Sequence, residues 1–223
     1  MAPEALCFDM YGTLCDTSSV RERLGEALSL PAGVARGVDE LWRQKQLQYS
    51  FQRGQMDDYA TFRQVTADAL DYALAYDGHD PDETTRERVL TAYDHLDPFP
   101  DALDALARLS EDYTVTVLSN GNPEMLATLA ENTGIEAHLD DVISADEVST
   151  FKPAPAVYEN AAARLDRDID ECRLVSSNAW DVAGAARAGM KTAWVNRRRD
   201  PFERVGGTPD VEVASLAALA DRL

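Results

Sequence analysis

Short apolar runs alternate along the chain with stretches whose apolar residues recur every three or four positions, and these two periods separate strands from helices. Glu4 to Phe8 is the first run; the glycine of Asp9-Met10-Tyr11-Gly12-Thr13 breaks it, which predicts a buried strand ending in a turn, with Asp9 at the strand's carboxyl end. From about Ser18 to Asp97 the period is helical throughout, most clearly where Val38, Leu41, Trp42, Lys45 and Tyr49 share one face. Pro98-Phe99-Pro100 ends that block. Leu103, Leu106 and Leu109 then predict a helix leading to a strand at Thr114 to Leu118, closed by Ser119-Asn120-Gly121. Further helices are expected over Pro123 to Asn132, Pro155 to Leu165 and Val182 to Gly189. The matching strands are Asp141 to Ser144, Arg173 to Ser176 and Lys191 to Val195, and the tail from Asp210 to Leu223 reads as a short strand at Val211 to Val213 and a closing helix.

Repeated strand-helix alternation predicts an α/β fold, a doubly wound parallel sheet with helices on both faces. The helical block is then an inserted cap, residues 18–97, on a core made of residues 1–17 and 98–223. Folds of this kind bind ligands beyond the carboxyl ends of the strands, where Asp9, Ser119 and Ser176 fall. With 223 residues and 45% apolar side chains the chain can bury a core without staples, and it contains neither an internal repeat nor a low-complexity tract.

Charge narrows the partners. Forty acidic side chains against 21 basic ones give a formal net charge of -19, far beyond the magnitude of about 2 to 8 usual for a small domain. Such a surface excludes nucleic acid as a partner. Lysine occurs only at positions 45, 152 and 191, so the basic complement is nearly all arginine, and aspartates are scattered throughout. That pattern is the one expected of a protein from a halophile, whose crowded carboxylates are screened by abundant salt. The odd number of cysteines, Cys7, Cys15 and Cys172, suits buried thiols in a reducing cytoplasm. No basic leader pattern follows Met1, and no stretch approaches the about 18 apolar residues of a membrane span, so neither membrane nor export is expected.

Four short strings carry chemistry. They are Asp9-Met10-Tyr11-Gly12-Thr13-Leu14, Ser119-Asn120-Gly121 after a strand, Lys152-Pro153 with Tyr158 following, and Ser176-Ser177-Asn178-Ala179-Trp180-Asp181 after another strand. In order and spacing they resemble the motifs of the haloacid dehalogenase superfamily, and the resemblance spans nearly the whole chain, cap included. Leu41-Trp42-Arg43-Gln44-Lys45-Gln46-Leu47 and the Ser176 to Asp181 string are similar to those of its L-2-haloacid dehalogenases. The resemblance implies a Rossmann-like haloacid dehalogenase core, a covalent aspartyl ester on Asp9, no cofactor, no metal and a homodimer. Phosphatases of the superfamily carry an acid two residues after the nucleophile, which protonates an alkoxide leaving group; here that position is Tyr11. They also hold magnesium with further carboxylates in the last motif, where this chain has Asn178 and the single acid Asp181.

Charge also asks for a cation at the site. An anionic substrate and an anionic nucleophile about 4 Å apart repel by about 4 kcal/mol at an effective dielectric of about 20. Lys152, set between Phe151 and Pro153, is the candidate. Asp181 is the expected general base for ester hydrolysis, helped by Ser176 and Asn178, and it also reads as a helix N-cap ahead of Val182. Thr13 and Ser177 are expected to support the two loops, and Ser119 to bind the substrate carboxylate. Arg43, Leu47 and Phe51 form a second helical stripe. By resemblance, Arg43 and Asn120 receive the departing halide, and Phe62 and Tyr11 supply apolar walls; Leu47, Tyr158 and Trp180 complete the expected substrate pocket. His79, His95 and His138 lie outside the motifs. Two rivals remain: a magnesium-dependent phosphatase, and a non-catalytic binding protein that keeps the fold.

Overall fold

The structure, a computed structural model, describes residues 5–223; residues 1–4, including Glu4 at the start of the expected first strand and the Met1 start at which no leader is expected, lie outside the described residues. The chain opens with β1 (Ala5–Phe8) and the two-residue β2 (Cys15–Asp16), followed by α1 (Ser19–Leu28), α2 (Ala32–Met56), α3 (Phe62–Tyr76) and α4 (Glu83–Leu90). A 3-10 turn over Thr91–His95 leads to β3 (Asp97–Pro98), then α5 (Ala102–Leu109), β4 (Thr114–Ser119), α6 (Pro123–Thr133) and β5 (Asp141–Ser144). The remainder is α7 (Pro155–Arg164), β6 (Cys172–Ser176), α8 (Ala179–Ala188), β7 (Lys191–Val195), β8 (Val211–Val213) and α9 (Leu216–Ala220).

Among the described residues, six strands form one parallel sheet in the order β5-β4-β1-β6-β7-β8. From the central β1 the chain winds outward to β4 and β5, returns to β6, and winds outward again to β7 and β8. The order therefore reverses around β1, where a ligand crevice is expected. All four residues of β1 are buried, as a strand covered on both faces requires. Its side chains alternate: Leu6 and Phe8 enter a large core with Val115, Val117, Leu106, Leu126 and Leu216, whereas Ala5 and Cys7 enter a smaller one with Leu118, Leu174, Val157 and Tyr158. No disulfide joins Cys7, Cys15 and Cys172. Burial, with Asp9 and Asp97 beside it, pushes the Cys15 thiol up to about 12.

The helices from α1 to α4 stand between β2 and β3, which pair antiparallel, Cys15 with Pro98 and Asp16 with Asp97. The chain thus leaves and rejoins the sheet at one two-stranded hinge. Periodicity did not foretell this pair, because two residues are too few to show alternation. In α2, Val38 and Trp42 are buried, and the Trp42 Nε1 donates to the carbonyl of Thr66 on α3 at 2.8 Å. Lys45 of the same stripe instead lies over the Tyr72 ring, 4.4 Å from its centre. No helix among the described residues is long and apolar enough to cross a membrane.

Candidate active site

Asp9 follows β1 directly, and its N–H still donates to Val175 of β6, so the nucleophile candidate is fixed to the sheet by its own backbone. Gly12, at φ +82, turns the chain back in a left-handed conformation that favours glycine. The turn returns Thr13 Oγ1 to Asp9 Oδ2 at 3.0 Å. The same oxygen accepts from Asn178 Nδ2 at 2.8 Å and from Ser176 Oγ at 3.3 Å. Asp9 Oδ1 has a single partner, the Lys152 ammonium at 3.3 Å. One carboxylate oxygen is held by three neutral donors, and the other faces a cation.

Lys152 is 1% exposed, and its Nζ also reaches Asp181 Oδ2 at 2.9 Å. Burial works against its charge, but the carboxylates of Asp181 and Asp9 outweigh it and hold its pKa above the ordinary lysine value. Asp181 is fully buried; burial and Asp9 raise its pKa, while Lys152 and the Tyr158 hydroxyl, donating at 2.7 Å, pull it down, with a net upward shift. Burial and the same carboxylate push the Tyr158 phenol well up, so it remains a donor. Asp181 does not cap its helix. The N-cap of α8 is Asn178, in extended conformation, and Asp181 sits inside the first turn with its carboxyl committed to Lys152 and Tyr158.

A cavity of about 630 Å³ opens above these groups. Asp9, Tyr11, Arg43, Leu47, Phe62, Ser119, Asn120, Lys152, Asn178 and Trp180 line it, which brings together ten of the residues singled out from sequence. Thr13, Ser176 and Asp181 stand behind the lining and hold Asp9 or Lys152, and Tyr158, expected in the substrate pocket, is instead fully buried behind it and donates to Asp181. Ser177 lines the cavity through its residue, while its N–H donates to Thr13 Oγ1 at 2.8 Å and ties the last loop to the first. Asn120 Oδ1 accepts from the Lys152 N–H at 2.8 Å, so one side chain joins the cavity floor to the lysine backbone. Tyr11 and Phe62 rings lie 6.0 Å apart, and Phe51 of α2 meets Trp180 of α8 edge-on at 5.3 Å. The Tyr11 hydroxyl is buried without a protein partner, and burial pushes its pKa well above the phenol value.

Sequence reading missed several lining residues. Tyr93 packs edge-on against Trp42 and Tyr11, at 5.2 and 5.9 Å. Arg197, after β7, donates to the Thr13 carbonyl at 3.1 Å and stacks on Phe99. Asp39 lies one helical turn before Arg43 and bonds it at 3.0 Å; that four-residue spacing was a usable signal in the sequence.

The rival phosphatase reading requires magnesium, and the donor chemistry here does not suit it. Both oxygens of Asp9 accept from nitrogen or hydroxyl donors, one of them a full cation, and a hard dication requires oxygen ligands in those positions. Among the described residues, no three His, Cys, Asp or Glu side chains are grouped to hold a metal ion.

The sequence model of the haloacid dehalogenase-like hydrolases matches residues 3–189. The chain is 40% identical over 219 residues to the (S)-2-haloacid dehalogenase of Pseudomonas sp. (strain YL), covering 98% of this chain and 93% of that one. It is 36% identical to haloacetate dehalogenase H-2 of Moraxella sp. (strain B), over 97% of this chain and 96% of the relative. The solved structure of L-2-haloacid dehalogenase from Xanthobacter autotrophicus with chloropropionic acid covalently bound superposes with a TM-score of 0.91 at 35% identity, covering 99% of this chain and 98% of that one.

Proposed function

The chain belongs to the haloacid dehalogenase-like hydrolase family, and from that membership and the site geometry we propose that it hydrolyses (S)-2-haloalkanoic acids to (R)-2-hydroxy acids. Asp9 Oδ1 is the attacking atom, because Oδ2 is already saturated by three donors. It attacks the α-carbon opposite the halogen; a C–O bond forms, the carbon–halogen pair leaves as halide, and the carbon inverts. Lys152 offsets the repulsion between the two anions during approach. The substrate carboxylate is received by Ser119 and neighbouring backbone N–H groups. Halide departs towards Arg43 and Asn120, whose Oδ1 is engaged by Lys152 and whose amide nitrogen is left for it, within walls formed by Tyr11, Leu47, Phe62 and Trp180.

In the second half-reaction, water attacks the carbonyl carbon of the Asp9 ester while Asp181 takes its proton. Charge develops on the carbonyl oxygen, the former Oδ2, where Thr13, Ser176 and Asn178 already donate. Collapse breaks the bond between that carbon and Oδ1, which leaves as the product's hydroxyl oxygen and takes the proton held by Asp181; the carboxylate is restored with one oxygen from water, and the hydroxy acid leaves with its new stereochemistry. Burial makes Asp181 a stronger base than an exposed aspartate, and Tyr158 orients it.

The observation that carries this reading is the pairing of Lys152 with Asp9 beside a tyrosine at position 11. A phosphatase needs a carboxylic acid there to protonate its leaving group; a buried phenol with a raised pKa is a far weaker acid. A non-catalytic relative has no use for an ammonium buried between two carboxylates, an arrangement costly to keep. The test is chloride release from (S)-2-chloropropionate with EDTA present, beside p-nitrophenyl phosphate with magnesium. We expect chloride release unaffected by EDTA; phosphate release in its place overturns the reading.

The assignment extends to organisation. Residues 18–97 act as a cap domain over a core of 1–17 and 98–223, and the enzyme works in the cytoplasm as a homodimer on a small anionic substrate, without nucleic acid or membrane partners. The cysteines outside disulfides support the first, and the exposed, stacked Tyr72 and Tyr76 on α3 offer surface for the second. Sedimentation at a monomer's mass would remove the dimer.

A further inference from the structure

Asp39 is a fully buried carboxylate on α2, where an unpaired charge would be strongly destabilising. Each of its oxygens serves one arginine: Oδ1 accepts from Arg43 Nε at 3.0 Å, and Oδ2 accepts from Arg21 Nε on α1 at 3.2 Å. Arg43 then spends one donor of each terminal nitrogen on Thr17, NH1 on its hydroxyl and NH2 on its carbonyl. Thr17 lies in the link between β2 and α1, next to the hinge. The guanidinium is thereby fixed at all three nitrogens and still borders the cavity, with two N–H donors uncommitted.

We propose that Asp39 is a positioning residue for halide departure. It clamps Arg43 so that the two remaining N–H groups face the leaving halogen, and Arg21 holds Asp39 in turn. The proposal rests on the dehalogenase reading above. An arginine stem has many rotamers, and a donor already oriented needs no reorganisation as charge moves from Asp9 to the halide. Two guanidiniums against one carboxylate also leave a net positive charge at the place where the new anion appears. A carboxylate buried between two arginines is not needed merely to pack α1 against α2, since apolar residues of similar volume often serve as well.

The experiment compares kcat/KM, which reports steps up to the first irreversible one, for (S)-2-bromopropionate and (S)-2-chloropropionate. Wild type, Asp39→Asn, Arg21→Gln and Arg43→Lys are measured side by side. Chloride is the poorer leaving group and depends more on a fixed donor. The bromide-to-chloride ratio should rise about tenfold in Arg43→Lys and roughly three- to tenfold in Asp39→Asn, a part of the full worth of one charge-assisted hydrogen bond. Arg21→Gln, at a side chain 34% exposed, should move it less and in the same direction. A purely structural role for Asp39 lowers both substrates together and leaves the ratio fixed. Should Asp39→Asn fail to fold, Arg21→Gln alone decides the question. A wild-type ratio in the Asp39 and Arg21 variants, with the ratio shifted in Arg43→Lys, overturns the proposal and leaves the dehalogenase reading intact. A ratio unmoved in all three overturns Arg43's halide role together with the proposal, and absence of halide release from wild type overturns the underlying reading.

Discussion

Lys152 lies 2.9 Å from Asp181 and 3.3 Å from Asp9, so one ammonium touches both carboxylates that the proposed mechanism assigns to its two half-reactions. Its replacement by alanine should remove nearly all turnover, and Asp9→Asn all of it, measured as halide release with deamidation excluded by mass. Asp181→Asn should separate the steps: alkylation proceeds, hydrolysis stalls, and the peptide containing Asp9 gains the mass of the acid. Product released at the normal rate would take Asp181 out of the mechanism. The pH profile follows from the same three groups. Asp181 must be ionised to accept a proton, and burial raises its pKa, so the acid limb of kcat should lie above the ordinary aspartate value of about 3.9. Lys152 must stay charged, and its pKa is raised, so the alkaline limb should lie above the ordinary lysine value of about 10.4. An acid limb at or below the ordinary aspartate value would contradict the assignment. Asn178→Ala removes one of three donors on Asp9 Oδ2, and ester hydrolysis should slow by roughly a hundredfold or more, read by single-turnover decay of the intermediate.

At the scale of elements, the sequence was most readable where two covered faces dictate a short apolar run. The strands Asp141–Ser144 and Lys191–Val195 appear with the bounds their patterns predicted. Asp9, Lys152, Asp181 and Asn178 were legible because motif spacing names residue types, and the sheet order then brings the strand ends together. What was not legible arises from contacts between distant segments. Helix α8 begins at Ala179, ahead of the expected Val182, because Asn178 turns the chain while Asp181 is drawn inward by Lys152. The hinge pair β2 and β3 joins residues 15–16 to 97–98, a pairing that no local period encodes. Gly184 belongs to the same class. A Cβ there would meet Pro153 Cβ at 2.4 Å and the Tyr158 hydroxyl at 2.8 Å, so α8 approaches the Lys152 loop closely only because this residue is glycine. Gly184→Ala should therefore destabilise the fold by about 1–3 kcal/mol in urea unfolding. It should also cut turnover disproportionately, since the displaced groups hold Lys152 and Asp181; an alanine variant with wild-type kcat would show that the loop gives way freely.

For the whole molecule the dominant quantity is the net charge of -19. Self-repulsion of that size opposes compaction, and salt within a Debye length of about 10 Å at 0.1 M screens it. Many of the arginines are committed to pairs: Arg86 with Asp71, Arg164 with Asp141 and Glu147, Arg53 with Asp58 and Asp68. These exposed pairs weaken as salt rises, each by no more than about 1 kcal/mol. The two effects oppose one another, and the excess of acids decides which wins: 40 carboxylates against 21 bases leave most of the surplus with no cation to lose. Raising KCl from dilute to molar should therefore raise the melting temperature, and an unchanged or lower value would remove the high-salt reading. The active site should respond differently. Lys152 and its two carboxylates are buried, where salt screens much less, so salt should leave kcat nearly constant at fixed folded fraction. The encounter is another matter: an anionic substrate approaches a strongly anionic protein, and screening the repulsion lowers KM. A KM that instead rises with salt would mean that the cavity's own arginines, Arg21, Arg43, Arg197 and Arg198, outweigh the net charge and draw the substrate in.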